Sequence, residues 1–424
     1  MAGERTLPVR LALAVALLVS SASAEPAAAG ESTVIVLSWD GMRHDYPDRG
    51  DFPGLARVIS EGARAERLVT VFPSSTFPGH VSLATGTYPD RHGIVGNHFV
   101  DRQRGVYRMD SDADWLLAEP IWIAAERQGV MAATYFWVGS ESDWRGRGTR
   151  YRESPFDGSR PEALKVDRIL EWLQLPEGQR PRLIMSYWAG ADRIGHRFGP
   201  DSERVTTQIA AQDLQLQRLL QGLDLLDRWA STTLLIVSDH GMTASYRYTD
   251  LRGMLAAAGI GAYVTGSTVV HVYLDDPDDH ARAGELLGKI EGARAYPGDA
   301  LPGWMRLSHA ARTGDWLVVA TPPLTFSRPA GWEGAMVATL SMVGWTFGSH
   351  GYPPDHPEMP GMFLALGRGV PAGALLRAVH QVDLAATIAA LLGIEPPLES
   401  EGTPVPGLEI PVAARQAAKE DDDG

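Results

Sequence analysis

Three short runs, TVIVLSW (33 to 39), RLIMSYW (182 to 188) and TLLIV (233 to 237), are apolar at nearly every position rather than at alternate ones. A strand with one wet face alternates, whereas an unbroken apolar strand is covered on both faces, as in a parallel sheet flanked by helices. Helical patterns separate these runs. PIWIAAERQ ends at Gln128 with a stop at Gly129 before another strand, and a long amphipathic stretch runs near 202 to 228. The alternation predicts an α/β fold with a mostly parallel central sheet and helices on both faces. In such sheets ligands bind at the carboxyl ends of the strands.

Residues 246 to 345 differ in character. They are richer in Gly and Pro, and STVVHVYLDD with DDHARAGELLGKIEG predicts a smaller α+β insertion or lobe. Core character returns at MFLALG and HQVDLAATIAALLG, so 31 to 398 reads as one domain and 399 to 424 as a charged, disordered tail. At the other end, Arg5 and Arg10 precede LALAVALLVS, and Ala22-Ser23-Ala24 has the small-x-small pattern of a cleavage site. Residues 1 to 24 are thus expected to be a cleaved signal peptide of a periplasmic or secreted bacterial protein. No other stretch reaches the about 18 apolar residues of a membrane span. Without cysteines there are no disulfides, so stability must come from core size or bound metal. The 38 basic residues against 52 acidic ones, with no basic run, argue against a nucleic-acid polymer as partner.

The chemistry gathers at the strand ends. Asp40 closes the first strand, Asp192 follows the second, and Asp239-His240 closes the third. Asp192 and His196 stand four apart, the spacing that puts two side chains on one face of a helical turn. Gly348-Ser-His350-Gly adds an imidazole in a glycine-flanked loop. One Asp-x-x-x-His is usually ordinary polar surface. Several Asp and His at strand ends, with no cysteine, form a ligand set suited to zinc, with manganese second.

The segments LSWDGMRHDY, FPSSTFPGHVSLATGTYPDRHGIVGNHF, FWVGSE, ADRIGHRFGP, VSDHGM and GSHGY resemble, in the same order, the nucleotide pyrophosphatase/phosphodiesterase family of the alkaline phosphatase superfamily. The resemblance implies an alkaline-phosphatase-like fold, two divalent metal ions, zinc the best fit, and a threonine nucleophile, Thr76. It places Asp40, Thr76, Asp239 and His240 around one metal, and Asp192, His196 and His350 around the other. It gives Asn97 the role of holding a phosphoryl oxygen, helped by the Phe77 N–H, and makes Phe77 and Tyr187, with Tyr151 as a third, the aromatic residues that line the substrate pocket. Where many animal members carry Glu-x-Pro before the second aspartate, this chain has Trp188-Ala-Gly-Ala-Asp192, which leaves the substrate open.

The expected activity is hydrolysis of phosphodiester or pyrophosphate bonds in nucleotides or related small diesters through a phosphothreonine. The alternative is a monoesterase, phosphonate or lipid head-group hydrolase of the same superfamily. A helix starting just after Thr76 would aim free N–H groups at a phosphoryl group, with Ser74 and Ser75 only turn residues. His44, His80, His92, His98 and His356 read as histidines that back the ligands from behind or lie at the surface, not as ligands. Oligomeric state is not readable from the chain.

Overall fold

The computed structural model describes residues 32 to 327 and 346 to 408. The expected signal peptide, residues 328 to 345 of the expected lobe, and 409 to 424 lie outside the described residues. An eight-stranded sheet forms the centre: β1 (Thr33–Trp39), β2 (Ala63–Ala65), β3 (Ala132–Tyr135), β4 (Tyr151–Glu153), β5 (Leu183–Trp188), β6 (Thr232–Val237), β7 (Phe363–Gly367) and β8 (Ala374–Leu376). Their spatial order is β8-β2-β7-β6-β1-β5-β3-β4. The strands from β6 to β4 pair in parallel, β8 also pairs β2 in parallel, and β7 alone runs antiparallel to both its neighbours.

β1 shows why its sequence does not alternate. Val34 and Val36 enter the core on one face, while Ile35, Leu37 and Trp39 enter the core on the other. Helices α2 (Thr76–Thr85), α3 (Ile121–Arg127) and α7 (Asp383–Leu392) contribute to the first core. Helices α1 (Pro53–Glu61), α4 (Glu162–Gln174) and α6 (Glu203–Leu225) contribute to the second. Burial on both faces at about 25 cal/mol per Å² of apolar area makes this central strand the least replaceable part of the fold.

The lobe has its own core. The strands Ala262–Gly266, Val269–Leu274, Trp316–Ala320 and Ala293–Pro297 form an antiparallel sheet in that order, backed by the helices Leu251–Ala257 and His280–Leu287. The expected disorder beyond 398 does not hold for residues 399 to 408. Val405 and Leu408 are buried, Glu401 pairs with Arg306, and Thr403 N–H donates to Asp383. The apolar side chains and these polar anchors explain why this stretch packs although its composition is hydrophilic.

Candidate active site

Parallel pairing sets the site. β1 pairs β5 with Trp39 opposite Trp188, and pairs β6 with Ser38 opposite Val237, so all three carboxyl ends reach one edge of the sheet. Asp40 follows β1, Asp239 and His240 follow β6, and Asp192 begins the short helix α5 (Asp192–Phe198) after β5. The turn before Asp192 needs Gly190. Its φ is +56°, and a Cβ there would meet the Asp40 carbonyl at 1.8 Å. That same carbonyl accepts the N–H groups of Ala191 (2.9 Å) and Asp192 (3.2 Å), which locks the first two acidic loops together. A short antiparallel pair, Phe347–Ser349 against Thr243–Ser245, carries His350 in beside His240.

Three imidazoles meet three carboxylates in this space. Nδ1 of His196 is 2.8 Å from the Gly348 carbonyl, that of His240 is 2.8 Å from Gly241 O, and that of His350 is 3.1 Å from Ser74 O. A carbonyl only accepts, so each Nδ1 carries its hydrogen, and in its neutral form each ring offers a bare Nε2 lone pair. His240 Nε2 stands 3.2 Å from Asp239 Oδ2 and 3.5 Å from Asp40 Oδ1, and Asp192 Oδ1 lies 3.3 Å from His196 Nε2 and 3.6 Å from His350 Nε2. Acceptors face acceptors. Asp40 Oδ1, Asp192 Oδ1 and Asp239 Oδ2 are buried and have no hydrogen-bond partner, and leaving such groups unpaired is costly. Divalent cations fit the donor chemistry. Asp40, Asp239 and His240 form one group that could hold an ion, and Asp192 and His350 form another with His240, which His196 approaches through Asp192.

Burial opposes a charged His196, but the Asp192 carboxylate beside it outweighs burial and raises that imidazole to about 9, while Asp192 is held below the usual carboxylate range. Burial, then the neighbouring Asp239 and Asp192 carboxylates, push the Asp40 carboxyl well above the usual range. Burial, then His240 and His196, push His350 well below the usual histidine value. A cation among these groups would offset the carboxylate repulsion at Asp40, and a neutral His350 is free to serve as its ligand.

Thr76 is the first residue of α2, and Ser75 before it is extended. The Thr76 hydroxyl is 3.2 Å from the bare Nε2 of His240, so it donates there. Ser74 is buried and donates to Tyr352 O, a turn role as expected. The Phe77 N–H is not free as expected. It donates to Asn97 Oδ1 at 2.9 Å, because the hairpin His98–Asp101 with Gly105–Arg108 brings Asn97 over the start of α2. The carboxamide oxygen is thereby used, and the Nδ2 hydrogens of Asn97 remain as donors. His80, read as standing behind the ligands or at the surface, is fully buried with its Nδ1 2.8 Å from Thr76 O and its Nε2 2.8 Å from Ser38 Oγ.

The aromatic residues divide. Burial, then the Asp40 charge, raise the Tyr187 phenol well above its usual value, so it stays protonated and donates to Asp40 Oδ2 at 2.7 Å. Phe77 is buried against Tyr107. Tyr151 is placed elsewhere: it lies on the outermost strand, its ring 6.1 Å from Trp172 of α4 and its hydroxyl bonded to Gln179 O. Sequence reading missed Phe156, which is 49% exposed and sits edge-on to Tyr187 at 5.8 Å. The SPF turn that carries it follows Tyr151 closely, but nothing in its residue types signals a site.

Known proteins resemble this chain in sequence and in fold. The type I phosphodiesterase / nucleotide pyrophosphatase family model matches residues 34 to 353. An uncharacterized pyrophosphatase/phosphodiesterase of Schizosaccharomyces pombe is 39% identical over 220 residues, 50% of this chain and 45% of that protein. A venom phosphodiesterase of Crotalus durissus collilineatus is 33% identical over 230 residues, 53% of this chain and 28% of that protein. The chain spans less than half the length of the curated relatives it matches. Among solved structures, murine ectonucleotide pyrophosphatase/phosphodiesterase 5, an inactive threonine-to-alanine variant in complex with AMP, superposes with a TM-score of 0.80 at 25% identity, covering 88% of this chain and 98% of that one. With a family model that covers residues 34 to 353, well over half of its length, the chain belongs to the type I phosphodiesterase / nucleotide pyrophosphatase family.

Proposed function

We propose that this chain hydrolyses phosphodiester or pyrophosphate bonds of nucleotides or related small diesters, with Thr76 as the nucleophile. The observation that carries the reading is the Thr76 hydroxyl at a helix N-terminus, hydrogen-bonded to His240 among three buried carboxylate oxygens without partners. The relative solved with AMP, inactive as a threonine variant, supports it. Asp40, Asp239 and His240 with Thr76 would hold one divalent ion, and Asp192, His196 and His350 a second, zinc being the best match to oxygen and imidazole donors. Such ions supply positive charge that acidifies a hydroxyl and stabilises oxygens of developing charge.

The residues of the chain do the rest. Thr76 gives up its hydroxyl proton to solvent, and Oγ1 forms a bond to phosphorus as the bond to the leaving oxygen breaks, the leaving group taking that electron pair. Water then attacks the phosphothreonine and loses a proton to solvent as the P–Oγ1 bond breaks, and Thr76 Oγ1 keeps that electron pair and is reprotonated. Asn97 Nδ2, aimed by the Phe77 N–H, donates to a nonbridging oxygen, a role worth about 2.7 to 4 kcal/mol. Asn97 is a neutral donor, which suits a diester with one charge, whereas monoesterases favour a guanidinium fork. Arg91, the arginine in the segment that joins Thr76 to Asn97, is exposed. Tyr187 with Phe156 and Phe77 would offer flat apolar surface for a base.

A substrate panel tests the reading. The kcat/KM for a nucleoside p-nitrophenyl diester should exceed that for p-nitrophenyl phosphate by about 100-fold or more, on the order of 3 kcal/mol of transition-state binding. Equal or better rates on the monoester transfer the assignment to the monoesterase alternative. The export pattern of residues 1 to 24, with relatives named as venom and ecto-enzymes, supports a periplasmic or secreted protein. N-terminal sequencing of the mature chain should begin at Glu25, and a retained Met1 contradicts it.

A further inference from the structure

The ligand-bearing loops share one buried cation. Arg43 lies in the loop that carries Asp40, is 4% exposed, and uses all five of its N–H groups. Its Nε donates to Asp45 Oδ1 at 2.7 Å, and one Nη donates to Glu358 Oε1 at 2.6 Å and to Met242 O at 3.0 Å. The other Nη donates to Asp45 Oδ2 at 3.2 Å and to Asp201 Oδ1 at 3.3 Å. Met242 follows His240, Glu358 lies in the segment after His350, and Asp201 lies just past the helix carrying Asp192 and His196. One planar guanidinium therefore touches all four chain segments that supply the acidic and imidazole groups. The Asp201 contact is the longest and its partner is 67% exposed, so the Met242 and Glu358 contacts dominate. Glu358 also accepts from Thr243 Oγ1, in the strand that positions His350.

We propose that Arg43 is a positioning residue that holds these four loops in register, so that the metal affinity of the centre depends on its guanidinium fork. The inference rests on the metal-binding reading of the site. Charge alone does not suffice: a lysine has three donors on one compact ammonium, whereas Arg43 makes five hydrogen bonds from three separated nitrogens. Arg312 provides the contrast. It is as deeply buried and bonds Asp101, Gly93 O and Trp115 O, none of which lies in a ligand-bearing loop.

The test compares full-length wild type, Arg43→Lys and Arg312→Lys, each with and without zinc. Zinc affinity is read by competition with a chromophoric chelator, and melting temperature is read for both forms. Arg43→Lys should weaken zinc binding by about 10- to 100-fold, as is typical for groups that orient ligands, and should narrow the gap between zinc-loaded and metal-free melting temperatures. A purely structural loss, as expected for Arg312→Lys, lowers both temperatures and keeps the gap. Methylguanidinium added to Arg43→Ala should recover part of the zinc affinity. Zinc affinity and gap like wild type in Arg43→Lys overturn the proposal. A wild-type protein that binds no zinc instead overturns the metal reading beneath it. Should Arg43→Lys fail to fold, Glu358→Gln is read the same way, with a weakened affinity as the expected result and an unchanged one as the contrary result.

Discussion

The imidazole rings of His240 and His350 lie face to face, their centroids 3.6 Å apart and their planes 10° from parallel. Two imidazolium ions would repel at this distance, and each Nδ1–H is committed to a backbone carbonyl, so in their neutral form both rings turn bare Nε2 atoms towards the buried carboxylates. Carboxylates and imidazoles packed this closely, with the Tyr187 and Thr76 hydroxyls as side-chain donors beside them, hold together best around cations.

Metal removal should therefore cost structure as well as turnover. Exhaustive chelation is expected to abolish diester hydrolysis and lower the melting temperature, with zinc restoring both. Unchanged melting and full activity in protein shown to be metal-free would contradict this.

Asn97 gives a second expectation. Asn97→Ala removes the Nδ2 donor and leaves the Phe77 N–H without its partner, and kcat should fall by about 100- to 1,000-fold. Asn97→Asp keeps an acceptor for the Phe77 N–H but turns the donor into a negative charge, so its loss should be larger. Steady-state kinetics on bis-p-nitrophenyl phosphate separates the two, and an active Asn97→Asp variant would remove the proposed role.

The aromatic wall is tested by comparing nucleoside with non-nucleoside diesters. Phe156→Ala should reduce kcat/KM for a nucleoside p-nitrophenyl diester several-fold more than for bis-p-nitrophenyl phosphate, since one lost ring contact is worth about 0.5 to 1.5 kcal/mol. Tyr151→Ala, at the far edge of the sheet, should leave that ratio unchanged. The reverse pattern would return Tyr151 to the pocket.

The chain's own pattern revealed the sheet because β1, β5 and β6 are apolar on both faces, and it revealed the acidic cluster because parallel strands bring their ends together. Less was legible where long-range packing decides. The reversed direction of β7 leaves no mark in MFLALG, since a buried strand has the same composition in either direction. The Phe77 N–H looked free because a helix start leaves such groups open, and only the fold brings Asn97 across to take it. Phe156 and Arg43 act through neighbours far away in sequence, the Tyr187 ring and Glu358, and neither pairing has a local signal. Residues 399 to 408 looked like tail because Val405 and Leu408 are too few to form a pattern, yet they fill space against the body.

Stability should fall in acid for a reason away from the site. His271, buried in the lobe, is held down to about 4 by burial. Its Nδ1 accepts the Gly314 N–H at 3.2 Å and its Nε2 donates to Val95 O at 3.3 Å, so a second proton would face a donor. The folded value is below the unfolded value of about 6.5, so the contribution is complete above pH 6.5 and is lost as pH falls towards 4, on the order of 3 kcal/mol at most. Urea unfolding of wild type and His271→Asn across this range should show a shallower slope in the variant. Identical slopes would remove His271 as a cause.

The central claim is that Thr76 carries the phosphoryl group between two displacements. Acid quenching during turnover of a nucleoside p-nitrophenyl diester, followed by peptide mass spectrometry, measures it directly. The account predicts a nucleoside phosphate adduct on Thr76, absent from Thr76→Ala, a variant that should retain most of its metal because Asp40, Asp239, His240, Asp192, His196 and His350 are untouched. An adduct on Ser74 or Ser75, or near wild-type turnover by metal-loaded Thr76→Ala, would contradict it.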